Sequence, residues 1–232
     1  ATLKVSTSVI GLPDDDSDDR TIYVTKGTTL DLTGYPVESG YVASNPYAGL
    51  SFVTEVCGDG VDGKGAIIKR TVHEEDDEKA LSASLLSLPS VKLTGNASVG
   101  VMNHEVLHMS NYEQREITLD LKGYTFTKQG LGSFVARNVT MSEGTILVHQ
   151  GDFHIDKGSL SSKTDIVMAA GTSLHMNSVN SENAEEGAST PAIRSLSGAG
   201  SVILNDAVLT LHTTRDSAYR DNYMDNTQSY NQ

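Results

Sequence analysis

The chain has 232 residues, 38% of them hydrophobic and 6% aromatic, with no Trp, 21 Gly, 5 Pro and a formal net charge of -13. An acidic surface repels phosphate backbones, which excludes a nucleic-acid partner, and no run approaches the ~18 apolar residues of a membrane helix, so no membrane insertion is expected. The length suits one large all-β domain or a domain with a smaller companion, and the thin apolar share fits a repeat protein cored by a narrow column of Val, Ile and Leu.

Cys57 is alone, which rules out an intramolecular disulfide and a cysteine zinc cluster. The sequence opens on Ala1-Thr2-Leu3 with neither an initiator Met nor a signal sequence. That reads as a mature boundary from which a signal peptide has been removed.

Leu3 to Val9 and Ile22 to Leu32 read as strands, separated by the acidic run Asp14-Asp15-Asp16-Ser17-Asp18-Asp19, which cannot be buried and is a loop. Gly58 to Gly65 reads as a flexible loop. His73 to Glu78 places acids ahead of Lys79 to Leu86, an order that suits a short helix ending before Pro89. From Val91 the pattern becomes regular. Ile117, Leu119 and Leu121 alternate with Thr118, Asp120 and Lys122, the period of a strand with one buried face. Further strands are predicted at Thr125–Thr127, Ser133–Ala136, Val139–Met141, Thr145–Val148, Phe153–Ile155, Ile166–Met168, Ser173–Met176, Ser201–Leu204 and Val208–Leu211.

Gly123, Gly144, Gly171 and Gly200 mark turns spaced like the coils of a solenoid, roughly 20–30 residues each. A sandwich also shows evenly spaced strands. The recurring phrase G-[TS] at Gly144-Thr145, Gly158-Ser159, Gly171-Thr172 and Gly200-Ser201 favours the solenoid, because sandwich strands have no reason to share it. The motif L-D-L-x-G-Y occurs at Leu30–Tyr35 and again at Leu119–Tyr124.

Ile117 to Thr127 and Gly198 to Leu204 resemble the autotransporter-associated β-strand repeats of bacterial surface proteins. The resemblance covers about residues 91–212, with an echo at 26–35. It implies a parallel β-helix and an exported protein, secreted or held at a bacterial surface; known passengers of this kind include adhesins, proteases and plain stalks. The expected fold is therefore all-β: a right-handed parallel β-helix over 91–212, an irregular β-rich part over 1–90, and a mobile polar tail over 213–232.

Three constellations suggest chemistry. Asp31 and Asp120, from the two D-L-x-G copies, would form an aspartic-type catalytic pair if the N-terminal part folded back on the solenoid, two carboxylates then sharing one proton. Both alternate with Leu, which points them at solvent, and both copies carry one residue more before Gly than the D-[ST]-G loops of aspartic proteases. His104-Glu105-Val106-Leu107-His108 matches H-E-x-x-H, which holds zinc only on a helix; extended, the two His lie ~13 Å apart. Gly58 to Gly65 nearly spells a phosphate-binding loop, but Gly65 stands where a hydroxyl is needed and Asp59 and Asp62 repel phosphate. Those acids, or Asp14, Asp16 and Asp18, could offer oxygens to calcium, yet neither set has the spacing of a helix-loop-helix site.

No G-x-S-x-G occurs, and Ser51 and Ser110 have no identifiable base. A carbohydrate-binding or lyase face is weakly signalled, with no Trp and 17 Lys plus Arg. The expected role is a surface or secreted module for binding, adhesion or display, with extracellular or host glycoprotein as partner and no cofactor. The alternatives are a secreted hydrolase of glycoprotein such as mucin using Asp31 and Asp120, or a zinc hydrolase at His104, Glu105 and His108.

Overall fold

The computed structural model describes residues 1–4, 21–33, 53–70, 88, 90–109, 117–157, 159–177, 192–205 and 207–212. The expected helix over Lys79–Leu86, the acidic run at Asp14–Asp19, Gly34-Tyr35 of the first repeat copy, Ser51, Ser110 and the 213–232 tail lie outside them.

In chain order the strands begin with β1 (Thr2–Lys4), β2 (Thr21–Val24) and β3 (Thr29–Asp31). Next come β4 (Val53–Gly58), β5 (Ile67–Lys69), β6 (Val91–Val101) and β7 (Val106–Met109). Three strands then recur per coil: β8 (Ile117–Asp120), β9 (Thr125–Gln129) and β10 (Ser133–Arg137), followed by β11 (Val139–Met141), β12 (Gly144–Val148) and β13 (Asp152–Asp156). The next coil holds β14 (Ser159–Leu160), β15 (Thr164–Met168) and β16 (Ser173–Asn177). The last holds β17 (Ala192–Ile193), β18 (Ser195–Gly198) and β19 (Ser201–Asn205), before β20 (Thr210–Leu211).

Every pairing between these strands is parallel, and each strand meets its counterpart in the next coil, so the chain is a parallel β-helix. It has three faces. The first runs β2-β4-β6-β8-β11-β14, the second β1-β3-β5-β6-β9-β12-β15-β18, and the third β7-β10-β13-β16-β19. β6 belongs to two faces: Val91 pairs with Leu119 of β8, whereas Ala97 pairs with Phe126 of β9. It turns the corner without leaving extended conformation, which joins two faces into one 13-stranded sheet. β4 and β5 both pair with β6, so the ladder runs on across residue 90.

Alternation puts one residue in two inside, and the register stacks those residues into columns. Ala97, Phe126, Ile146, Ile166 and Leu196 form one column on the second face, and Leu107, Phe134, Phe153, Leu174 and Val202 form another on the third. The core is more aromatic than a Val/Ile/Leu column. Phe126, Phe134 and Phe153 are fully buried, with ring centroids 5.6 and 5.2 Å apart. Aromatic pairs at that spacing contribute about 0.5–1.5 kcal/mol each beyond their buried area.

The turn glycines divide between two corners. Gly123 precedes the second face, where its N–H donates to Glu143 O at 2.9 Å, and Gly144 opens β12. Gly130, Gly132, Gly151, Gly171 and Gly200 lie between the second and third faces. The third-to-first corner is tighter still. Asn138 alone separates β10 from β11, at φ 54°, and Lys157 at the equivalent place shares that φ. Asn tolerates this left-handed conformation better than most residues, which suits it to a one-residue bend.

Candidate functional site

The third face gathers imidazole, carboxylate and amide side chains in register. On β13 the inward residues are Phe153 and Ile155, so Asp152 and His154 lie half-buried on the outer side, with Asp156 on that side but 9% exposed; on β16 the same alternation leaves Ser173, His175 and Asn177 half-buried. The register aligns these into rows across coils. One row is His108, Val135, His154, His175 and Ile203, and the next is Arg137, Asp156, Asn177 and Asn205.

Within the first row the His154 and His175 rings stack with centroids 4.1 Å apart and planes within 6° of parallel. Burial pushes the His154 pKa below its usual 6.5, helped by the neighbouring His175 and His108 and opposed by Asp152 and Asp156. Burial likewise lowers the His108 pKa, with Lys69 and Arg137 adding and Asp156 opposing. Both rings are neutral at pH 7, each then offering one donor and one acceptor.

The second row is bonded end to end. Asn177 Nδ2 donates to Asp156 Oδ1 at 2.5 Å, Asn205 Nδ2 donates to Asn177 Oδ1 at 2.6 Å, and Arg137 approaches Asp156 Oδ2 at 3.5 Å. Here the one-residue corner leaves a groove of about 370 Å³ lined by Arg137, Asn138, Asp156, Lys157 and Asn177. The arrangement gathers hydrogen-bond donors and acceptors side by side along one groove.

The residues singled out from sequence lie elsewhere. Asp31 does not face solvent: it is 1% exposed, accepts from Thr33 N at 3.1 Å and from the Thr33 hydroxyl, and pairs with the Arg70 guanidinium. Arg70 folds over the strand and covers the side that alternation assigns to water. Asp120 is half-buried and accepts from Ser142 Oγ at 2.8 Å. The two are not brought together. Asp31 pairs with Ile68, Ile68 with Gly100 and Gly100 with Gln129, which shares a coil with Asp120. Three rungs separate them, about 14 Å along the axis. Carboxylates must nearly touch to share a proton, so the expected catalytic pair does not form.

His104 sits in a turn at φ 65° and His108 in β7, so H-E-x-x-H is not helical and lacks the shared helix face that the zinc motif needs. Glu105 lies 3.9 Å from Lys69 Nζ, which donates to Val106 O at 2.8 Å. Among the described residues no group of three or more His, Cys, Asp or Glu converges on a point where a metal would sit. The Gly58–Gly65 loop is tied to β3 by Thr29, whose hydroxyl donates to Gly65 O at 3.1 Å and accepts from Val61 N at 2.8 Å. Asp59 and Asp62 point to solvent there.

Sequence reading placed β13 and β16 but passed over the groove residues. The signal was present: Asp152-Phe153-His154-Ile155-Asp156 and Ser173-Leu174-His175-Met176-Asn177 alternate alike and align when overlaid on their Phe and Leu. Comparison with protein-family models, with curated proteins and with solved structures returns no match.

Proposed function

We propose that this chain is a binding or display module of an exported bacterial protein, acting at the cell surface or after secretion, with the third face as its contact surface. The observation that carries this is the register of that face. Five parallel strands hold outward side chains in straight rows, so a partner lying along the axis meets polar groups at every rung. A continuous ladder over a fully buried aliphatic and aromatic column opens locally only at high cost, which favours survival among extracellular proteases. The partner class is extracellular glycoprotein, because the surface is acidic overall yet presents amides, imidazoles and a guanidinium along one face.

Binding of the intact chain to immobilised mucin, followed by biolayer interferometry, tests the reading. Saturable binding is expected, weakened about tenfold by Arg137→Glu, the typical loss when a charged contact is removed. No saturable binding, or equal binding by the variant, would falsify the assignment.

A further inference from the structure

The geometry points to the groove between Arg137 and Asn177 as a subsite for a neutral saccharide chain running along the helix axis, an inference that rests on the binding role proposed above.

The first argument is unspent hydrogen-bonding capacity. Arg137 is over half exposed, and its 3.5 Å approach to Asp156 engages a single nitrogen of a five-donor fork. Lys157 is exposed and takes part in no ion pair among the described residues. Asp156 and Asn177 hold each other in place through the 2.5 Å bond, which fixes their planes at the groove floor. A guanidinium, a carboxylate and an amide side by side suit adjacent hydroxyls, each of which both donates and accepts.

The second argument is the wall. The neighbouring row runs from Val135, which is buried, through the stacked His154 and His175 to half-buried Ile203. The two imidazole edges beside the Ile203 side chain match a sugar ring, whose hydroxyls radiate from a C–H framework. The rows repeat at the strand spacing of ~4.8 Å, so an extended polymer meets Arg137, Asp156, Asn177 and Asn205 in turn.

The third argument concerns what does not fit. Arg137 is paired locally with Asp156, and the chain as a whole carries -13, so a long polyanion is repelled by the surface beyond the groove. An extended peptide binds sheets by pairing with a free edge. This groove lies on a face whose backbone groups are already engaged by β10, β13 and β16.

Affinity electrophoresis of the intact chain tests this, through gels each containing one polysaccharide: galactomannan and mixed-linkage β-glucan as neutral probes, polygalacturonate and heparin as acidic ones. Retardation by a neutral probe is expected. Asn177→Ala and Arg137→Ala should each weaken it about tenfold, His175→Gln should weaken it less, and Thr127→Ala on the second face should leave it unchanged. Thermal melts identify any variant that fails to fold, and the remaining ones decide. Retardation by acidic probes alone, by none, or undiminished in the folded groove variants overturns the inference. Mucin binding that survives enzymatic removal of the glycans would overturn the saccharide groove and leave the binding role standing; absence of mucin binding together with absence of retardation by the neutral probes would overturn both.

Discussion

Lys128 is a lysine turned into the core. Its side chain is fully buried, with Nζ donating to Gly130 O at 2.7 Å and to Gln150 O at 2.9 Å. Two carbonyls do not replace a hydration shell, so burial pushes the pKa from 10.5 down to about 8, against the opposing pull of Asp152. The folded chain therefore holds this proton less tightly than the unfolded chain. Its contribution is complete above pH 10.5 and is lost as pH falls toward 8. Stability should accordingly rise by up to about 3 kcal/mol across that window. Urea midpoints of the wild type and Lys128→Met across the same range measure it, since subtracting one from the other cancels the remaining titrating groups. Parallel pH slopes would show that Lys128 is not the source.

His154 acts on the acid side. Its pKa lies below 6.5, so its contribution is present above that value and is lost as pH falls through the lowered one. A denaturant series from about pH 7 to about pH 5 should show the wild type losing stability faster than His154→Gln, before most carboxylates titrate. An equal loss in both would mean that the stacked pair tolerates charge.

At the scale of the element, the corners decide which residues are replaceable. Gly27 and Gly130 adopt nearly the same backbone, φ 78° and 80°. A Cβ on Gly27 would meet nothing within 4 Å, whereas one on Gly130 would stand 2.2 Å from Val101 O. Gly27→Ala should cost about 1 kcal/mol, the strain of the left-handed region alone. Gly130→Ala should cost several times more, because it also forces two coils apart. Equilibrium unfolding of both variants separates strain from close approach.

The same corners explain what the sequence disclosed. Strands such as Thr145–Val148 and Ser201–Leu204 were legible because alternation is a local property, and the solenoid followed from their recurrence. The corner assignment was not, since Gly123 and Gly144 serve one bend while Gly171 and Gly200 serve another, and spacing alone cannot tell them apart. Asn138, a corner without glycine, gave no punctuation at all. Asp31 misled for a tertiary reason: alternation assigns it to solvent, and only the fold brings Arg70 over it. The groove residues needed the register between coils, which is also a long-range property.

At the scale of the whole molecule, each coil contacts only its neighbours, so a coil should be removable if the register is kept. The register states the cut. Gly144 pairs with Thr164, and Val148 with Met168, a constant offset of 20 positions along β12 and β15. Excising residues 144–163 would join Glu143 to Thr164 and set β9 against β15 and β10 against β16. Phe134 would then lie over Leu174, and every inward position would still face inward. The shortened chain should keep its strand-type circular dichroism and unfold cooperatively at a somewhat lower midpoint, having lost one layer of stacking. An excision of 11 residues from the same start removes β12 and residues 152–154 of β13, which leaves that coil without its second-face strand and out of register, and should not fold. If both deletions failed alike, the coils would not be the interchangeable units that the ladder implies; if the 20-residue cut folds, a groove built from Arg137 and Asn177 alone, without Asp156 and Lys157 between them, tests which rungs the ligand needs.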